Sequence, residues 1–262
     1  MSKLGHCSRS QAAELIRSGR VRLNGSVRRD PETPVRLERD HIVVDGRAID
    51  PPKKIYLMMN KPRGLVTTAS DEKGRPTIYS VLGKAADSPW IAPVGRLDKA
   101  SEGLLLLTND SEWGARIAAP EMHLNKTYHV QIGSVADDQL LQALTQGVKS
   151  EDGDVLRAIQ SRILRSGMKN CWLEINLDEG KNRHIRRMLA ALGVEVLRLV
   201  RVAIGPLHLG ELPKGASRTL ANEEKRSLDE AMWNAPSPPT GGSRPGPHRL
   251  RTTLQQPKAA HS

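Results

Sequence analysis

The sequence is poor in aromatic residues and in cysteine. Its 262 residues include no Phe, three Tyr and four Trp, so each aromatic side chain can be weighed individually. The two cysteines, Cys7 and Cys171, are far apart, and neither has a second metal-ligating residue at CxxC or CxxH spacing. We therefore expect neither a disulfide scaffold nor a structural metal site.

Long apolar runs are also missing. No run reaches the length of a membrane-spanning helix, and the first residues, MSKLGHCSRSQ, contain no apolar core of a secretory signal. We therefore expect a cytoplasmic protein that has no membrane partner.

Acidic residues are outnumbered by basic ones. The chain has 40 Lys and Arg against 29 Asp and Glu, which gives a formal charge of +11 and a pI near 9.9. Such a charge favours a polyanionic partner, most often a nucleic acid, although a merely basic protein is the alternative. Residues 234–262 contain six prolines and no acid, which predicts a disordered basic tail.

Residues 1–50 are predicted to form a small helical and hairpin unit. Ser8 and Gln11 have the spacing of a capping box, and Gly19 is suited to end the helix. Asn24-Gly25 is a strong signal for a tight turn between two short strands. Ile42–Val44 and the Asp45-Gly46 pair after it predict another strand and turn.

Basic residues are concentrated in this unit. The first thirty residues contain two acids, Glu14 and Asp30, against seven cations: Lys3, Arg9, Arg17, Arg20, Arg22, Arg28 and Arg29. A solvated surface is one interpretation. An RNA-binding face is the better one, because so small a helix and hairpin does not need this charge for solubility. The RNA-binding candidates are Arg9, Arg17, Arg20, Arg22 and Asn24.

The string SRSQAAELIRSGRVRLNG resembles the S4-type RNA-binding domain, in which a helix and the following hairpin grip structured RNA. That family usually has a further helical turn or two before the equivalent of Leu4. We therefore expect the first helix of the domain to be truncated.

The rest of the chain predicts a larger α+β domain. Residues 51–54 have the composition of a linker, and Ile55–Met59 is an apolar run typical of a buried strand. From 55 to 225, strands and short helices alternate without the rhythm of a doubly wound sheet. This favours a mixed, mostly antiparallel sheet.

Asp98 is the candidate catalytic residue. It lies in the loop VGRLDKASEG, before four leucines that predict a strand buried on both faces. The loop would deliver Asp98 to the edge of the sheet. Arg96 and Lys99 favour the ionised carboxylate, and an ionised carboxylate can act as a nucleophile. The alternative is an Asp98 that forms an ion pair with Arg96 and caps the loop.

The full string GRLDKASEGLLLLTND is similar to the GRLDxxTxGLLLLTND signature of pseudouridine synthases of the RsuA type. NKPRG at 60–64, KTYHV at 126–130 and EGKNRHIRRM at 179–188 resemble further motifs of this family, in the same order. The stretch 197–220 resembles its closing strands. Ser101 and Ser111 stand where Thr and Gly are usual, and His184 replaces the usual Gln.

The resemblance implies an isomerase that converts a uridine of ribosomal RNA to pseudouridine with Asp98, without a metal or cofactor. It puts the ring of Tyr128 against the target uracil, since a flipped base needs a stacking surface. It makes Arg186 the buried arginine that pairs with Asp98, with Arg187 as the rival. Arg96 would fill the gap that the flipped uridine leaves or hold the flanking backbone.

The helix after residue 183 adds a basic pattern. Ile185, Met188, Leu189 and Leu192 predict its buried stripe, while Arg183, Arg186 and Arg187, at i, i+3 and i+4, predict a separate face for RNA phosphates. Lys61, in the basic NKPRG segment at 60–64, is an RNA-binding candidate together with Arg183 and Arg187. We expect His184 to take the polar place of Gln rather than an acid–base role.

Two other functions remain open from the sequence. A non-catalytic RNA-binding or ribosome-assembly protein would need the basic surfaces but not Asp98. A ribonuclease or glycosidase-like enzyme would pair Asp98 with Glu102, since such chemistry needs two carboxylates at a fixed separation. For the isomerase, the partner is ribosomal RNA or a pre-ribosomal particle and the protein is a monomer. The DEKGRPTIYSVL stretch resembles large-subunit enzymes slightly more than small-subunit ones.

Overall fold

The structure is a computed structural model that describes residues 1–4, 6–36, 39–49, 53–68, 71–83 and 90–233. The predicted tail at 234–262 and the first two residues of the predicted linker at 51–54 lie outside these ranges. Within them, no helix is long and apolar enough to cross a membrane.

The N-terminal unit combines one helix with a small antiparallel sheet. Helix α1 (Arg9–Arg17) begins at the predicted capping box: Ser8 Oγ accepts from the Gln11 amide at 3.1 Å, and Gln11 Oε1 accepts from the Ser8 amide at 3.0 Å. A single 3-10 turn, Ser2–Leu4, precedes it. The strands of the sheet are β1 (Val21–Leu23), β2 (Ser26–Arg28), β3 (Ile42–Val44) and β4 (Arg47–Ala48). They pair in the order β2-β1-β3-β4.

The larger unit is built on a nine-stranded sheet. Seven strands follow the order β11-β12-β8-β13-β7-β5-β15, with β6 paired to β7 and β14 paired to β13. The strands are β5 (Tyr56–Lys61), β6 (Ala92–Val94), β7 (Glu102–Thr108), β8 (Lys126–Ile132), β11 (Gln160–Ser166), β12 (Cys171–Leu177), β13 (Val196–Ile204), β14 (Leu207–His208) and β15 (Ser217–Thr219). Only the β7–β13 pairing within it is parallel. The predicted α+β class with a mixed, mostly antiparallel sheet is confirmed.

Helices and a small hairpin complete this unit. They are α2 (Ser111–Ala118), α3 (Asp138–Gln146), α4 (His184–Ala191), α5 (Asn222–Trp233) and the strand pair β9 (Val148–Lys149) and β10 (Val155–Leu156). Strand β7 is buried along its whole length, as predicted. Leu105 and Leu107 join the core cluster with residues of α4, while Leu104 and Leu106 join the cluster with α2 and α5. The alternation of side chains along a strand therefore supplies both clusters.

Gly103 allows β7 to approach β13 closely. It pairs with Arg201 and has a φ of +102°. A Cβ at this position would lie 2.2 Å from the Arg201 carbonyl oxygen, which is backbone and cannot move aside easily. The glycine is therefore required both by its dihedral angle and by the close approach. It fixes the end of the loop that carries Asp98.

Candidate active site

A cleft of about 610 Å³ opens where β8 begins and where β12 and β13 end. The loop at 95–101, the segment at 179–183 and the start of α4 form its walls, and Asp98 lies among its lining residues. Its charged lining has two carboxylates, Asp98 and Glu179, against six cations: Arg96, Lys126, Lys181, Arg183, Arg186 and Arg201. The cleft is therefore suited to an anionic ligand.

The Asp98 carboxylate is accessible from this cleft. About a third of its side chain, 34%, is exposed, and Arg183 Nη1 lies 3.8 Å from its Oδ2. The Asp98 carbonyl accepts from the Ser101 amide at 3.0 Å, which closes a turn. A backbone hydrogen bond thus closes the turn, while the carboxylate is partly exposed to the cleft beside Arg183.

Lys61 supports the Asp98 loop from inside. Its side chain is fully buried, and Nζ donates to the carbonyls of Pro62 at 3.2 Å, Asp98 at 3.1 Å and Ser101 at 2.9 Å. Burial lowers the pKa of this amine to about 8. The prediction that Lys61 binds RNA is therefore not supported, because the amine is buried, donates to three backbone carbonyls and does not line the cleft. Lys61 holds the Asp98 loop instead.

Tyr128 lies on the wall of the cleft, in the middle of the sheet. Its strand β8 buries Tyr128, Val130 and Ile132 on one face, as their alternation predicts. Tyr128 is 9% exposed and pairs across the sheet with Ile175 and Arg201. A ring held in this way can offer a fixed stacking surface to a base.

Arg186 donates to the backbone of the Asp98 loop rather than to the carboxylate. Its Nη2 donates to the Ala100 carbonyl at 3.0 Å and its Nη1 to the Val196 carbonyl at 3.4 Å. Its Nε is buried and has no hydrogen-bond partner among the described residues, and burial lowers its pKa. Within the same residues, Arg183 is the cation within 4.0 Å of the Asp98 carboxylate. The predicted contact between Arg186 and the carboxylate is therefore absent.

The predicted basic face of three arginines is wrong. Arg183 has a φ of +49° and precedes the helix, so it does not continue the periodicity of Arg186 and Arg187. Arg187 Nη2 lies 2.9 Å from Asp152 and 2.8 Å from Asp154, and its side chain is 19% exposed. Arg187 therefore anchors the β9–β10 hairpin and is not available to RNA phosphates.

His184 lies at the start of α4, in the wall of the cleft. It is 4% exposed, and neither ring nitrogen has a hydrogen-bond partner among the described residues. Burial lowers its pKa, although the Glu179 carboxylate lies 3.7 Å from Nδ1. The neutral imidazole is therefore favoured.

Glu102 does not form a carboxylate pair with Asp98. It is 3% exposed and is bound by Arg198 Nε at 2.9 Å and by Lys214 Nζ at 2.5 Å. A carboxylate enclosed by two cations is not available to a substrate. The alternative of a two-carboxylate hydrolase with Glu102 is therefore not supported.

The RNA-binding candidates of the N-terminal unit divide into three with hydrogen-bond partners and two exposed arginines without an ion pair among the described residues. Arg20 forms a two-pronged ion pair with Asp45, at 2.8 and 2.5 Å, and Arg22 donates to the Gly25 carbonyl at 3.1 Å. Asn24 Nδ2 donates to an Asp40 oxygen at 2.9 Å, and Asn24 Oδ1 accepts from the His41 amide at 2.9 Å. The other two candidates, Arg9 and Arg17, are exposed and form no ion pair in the described part of the chain. Their binding of RNA stays a prediction.

Sequence reasoning missed Lys126 and Arg201, which also line the cleft. Both lie on strands and share the face of Tyr128, so the alternation that placed Tyr128 could have placed Lys126 as well. No group of three or more His, Cys, Asp or Glu suited to a metal occurs among the described residues.

The comparisons with known proteins agree with this geometry. Residues 55–191 match the family described as RNA pseudouridylate synthase, and residues 1–42 match the S4 domain. An uncharacterized RNA pseudouridine synthase of Aquifex aeolicus (strain VF5) is 39% identical over 233 residues, covering 88% of this chain and 92% of its own. A ribosomal large subunit pseudouridine synthase B of Bacillus subtilis (strain 168) is 34% identical, covering 86% and 91%.

A solved structure gives the same result. A crystal structure of a pseudouridylate synthase is 31% identical, with a TM-score of 0.60, and covers 86% of this chain and 95% of its own. The fold and the cleft thus define an RNA-modifying isomerase. The chain belongs to the RNA pseudouridylate synthase family and carries an S4 domain, as the sequence motifs predicted.

Proposed function

We propose that the protein converts one uridine of large-subunit ribosomal RNA to pseudouridine, with Asp98 as the nucleophile. The observation that carries this proposal is the position of the Asp98 carboxylate, exposed in a basic cleft that also contains the ring of Tyr128. The Bacillus subtilis relative, named a ribosomal large subunit pseudouridine synthase, supports the choice of substrate.

The reaction is an isomerisation that leaves the RNA composition unchanged. The bond between ribose carbon 1′ and uracil N1 breaks, the uracil rotates, and carbon 5 bonds to carbon 1′ while its proton is lost and N1 gains one. Asp98 would attack the nucleotide or take a proton from it. Either role uses an ionised carboxylate.

The target uridine has to leave its stack to reach Asp98, and unstacking costs a few kcal/mol. Tyr128 and the apolar side chains of Leu199 and Ile204 offer the base a surface inside the cleft. Arg96 is exposed at the cleft and forms no ion pair within the described residues, so it is available to fill the vacated position or to hold the flanking backbone.

Two regions divide the work in this proposal. The S4-type unit at 1–50 supplies affinity and target choice, with Arg9 and Arg17 among its available cations, while the domain at 55–225 supplies chemistry. The protein would act as a monomer in the cytoplasm, on ribosomal RNA or a pre-ribosomal particle. Size-exclusion chromatography with light scattering tests the monomer, and a dimer would contradict it.

The experiment that tests the function is a map of pseudouridines in both ribosomal RNAs from a strain that lacks the gene. We expect one large-subunit site to lose its pseudouridine and to regain it when the wild-type gene is returned. An unchanged map would contradict the function. A loss confined to the small subunit would contradict only the choice of substrate.

The mass of the RNA distinguishes the isomerase from a ribonuclease or a glycosidase-like enzyme. Purified protein should leave the mass of a ribosomal RNA fragment unchanged while a pseudouridine appears. Shorter fragments or loss of a base would contradict the proposal.

A further inference from the structure

Lys126 and Arg201 lie on neighbouring strands and face the same cleft. Arg201 of β13 pairs with Tyr128 of β8, and Lys126 lies two residues before Tyr128 on the same face. Both residues line the cleft together with Asp98. The strands therefore place two cations beside the ring that we assign to the uracil.

Arg201 is buried and Lys126 is half-buried, and neither forms an ion pair among the described residues. Arg201 is 5% exposed; its Nε donates to the Leu104 carbonyl at 2.7 Å, and its Nη2 is buried without a hydrogen-bond partner in the described residues. Lys126 Nζ donates to the Asp178 carbonyl at 3.3 Å. Among the described residues, no carboxylate lies within 4.0 Å of either cation.

Such an arrangement is unfavourable without an anion. A buried charge is costly unless it is paired, and two like charges raise that cost. Burial lowers the pKa of Lys126, and the charge of Arg201 lowers it further, against a smaller opposite effect of the Asp178 carboxylate. A permanent anion would relieve both effects. The uracil carries negative charge only during the reaction, whereas an RNA phosphate carries it throughout.

We propose that Lys126 and Arg201 bind a backbone phosphate of the RNA next to the flipped uridine. The proposal rests on the proposed function for the identity of the nucleic acid. The free Nη2 of Arg201 and the Nζ of Lys126 would donate to two oxygens of one phosphate, in charge-assisted hydrogen bonds. The phosphate would then hold the nucleotide in position while Tyr128 holds the base.

The test measures how a variant responds to single neutral phosphates. Full-length Asp98→Asn protein, which should not convert its RNA, is the parent. The probe is a large-subunit ribosomal RNA fragment chosen because it binds the protein, with one methylphosphonate introduced at each successive linkage. We expect one linkage to weaken binding to the parent about tenfold. The double variant with Lys126→Gln should bind that modified RNA and the unmodified RNA equally.

The salt dependence gives a second readout. Loss of one phosphate contact should reduce the log–log slope of affinity against salt by about 0.7 for single-stranded RNA. Lys149→Gln is the matched control, because Lys149 is exposed and does not line the cleft. It should keep the sensitivity to the methylphosphonate. Arg201→Lys keeps the charge but loses the second donor. Its affinity should therefore fall at the methylphosphonate, but by less than that of the parent.

Two results would overturn the phosphate contact. One is an equal loss of affinity for parent and Lys126→Gln at every methylphosphonate. The other is unchanged binding by Lys126→Gln in the wild-type background together with a slower single turnover at saturating RNA, which would assign the pair to the uracil. A third result would overturn the proposed function alone: a methylphosphonate that weakens binding to the parent but not to the Lys126→Gln variant, in an RNA fragment that the wild-type protein binds but never converts.

Discussion

The N-terminal unit and the cleft both contain concentrated cations, and in both only some of these cations have a carboxylate partner. In the N-terminal unit, Arg20 is paired with Asp45, while Arg9 and Arg17 are exposed and form no ion pair in the described residues. In the cleft, Arg183 lies 3.8 Å from Asp98, while Arg96 is exposed without an ion pair in these residues and Arg201 keeps a buried donor without a partner. The number of cations is therefore a poor guide to binding. Whether a cation already has a partner decides how much of its charge a ligand meets.

The largest effect should follow from a substitution in the strands that support the cleft. Gly103→Ala places a Cβ 2.2 Å from the Arg201 carbonyl oxygen and strains a φ of +102°. We expect it to lower the free energy of unfolding by about 3 kcal/mol or more and to abolish activity. Urea unfolding followed by Trp fluorescence measures this.

Gly25→Ala in the N-terminal hairpin is the matched control for Gly103→Ala. Its φ is +83°, but a Cβ there meets nothing within 4 Å. Its free energy of unfolding should therefore fall only by the cost of the dihedral angle, about 1 kcal/mol. Equal losses for the two variants would contradict the close approach of β7 and β13.

Lys61→Met should reduce catalysis with little change in RNA binding. The amine holds the carbonyls of Asp98 and Ser101, and a nucleophile displaced by about 1 Å costs roughly a hundredfold in rate. Single-turnover rate at saturating RNA, measured beside affinity, separates this role from an RNA contact. A loss of affinity at an unchanged rate would restore the RNA-binding prediction.

The stability of the wild type relative to the Lys61→Met variant should also depend on pH. Burial lowers the pKa of Lys61 from 10.5 to about 8, so above pH 8 the unfolded chain holds this proton more tightly than the folded chain. The free energy of unfolding of the wild type, relative to Lys61→Met, should therefore rise between about pH 8 and 10.5. A fall over this range would contradict the buried position.

A smaller effect should distinguish an unpaired cation from a paired one. If Arg96 holds the flanking RNA backbone, Arg96→Gln should weaken RNA binding a few-fold and reduce the salt slope by about 0.7, the effect of one lost phosphate contact. Arg20→Gln should leave the slope unchanged, since Asp45 already neutralises Arg20, but should make the N-terminal unit easier to unfold. Filter binding from 50 to 300 mM salt measures both. Equal salt slopes for the two variants would contradict the distinction between an unpaired and a paired cation.

Removal of divalent metals should have the smallest effect. The sequence contains no metal-ligand motif, and the proposed chemistry uses Asp98 alone. We expect the turnover of a short unstructured RNA to survive dialysis against EDTA, with a structured RNA in magnesium as the control for folding. Activity that returned only with a catalytic metal would contradict the mechanism.

Local patterns in the sequence were sufficient for much of the fold. The capping box at Ser8, the strand of leucines at 104–107 and the buried face of β8 depend on neighbours within a few residues. The loop that carries Asp98 follows from that strand. For these elements, spacing along the chain fixes the environment of each side chain.

The environments of the cations could not be predicted because they depend on distant residues. Lys61 bonds the carbonyls of Asp98 and Ser101, and Arg187 bonds Asp154, all more than thirty residues away in sequence. Arg183, Arg186 and Arg187 have helical spacing in the sequence, but the positive φ of Arg183 places it before the helix. Long-range contacts and one backbone dihedral angle thus decide which cations a ligand can reach.

The most direct test of the account is single turnover by purified Asp98→Asn protein on an RNA fragment that the wild type is found to modify. The substitution keeps the size of the side chain and removes the charge and the nucleophile. We predict no pseudouridine after a thousand wild-type half-times, with RNA affinity within about fivefold of the wild type, since the cations of the cleft remain. Measurable conversion by a pure Asp98→Asn preparation would contradict the assignment of Asp98 as the nucleophile.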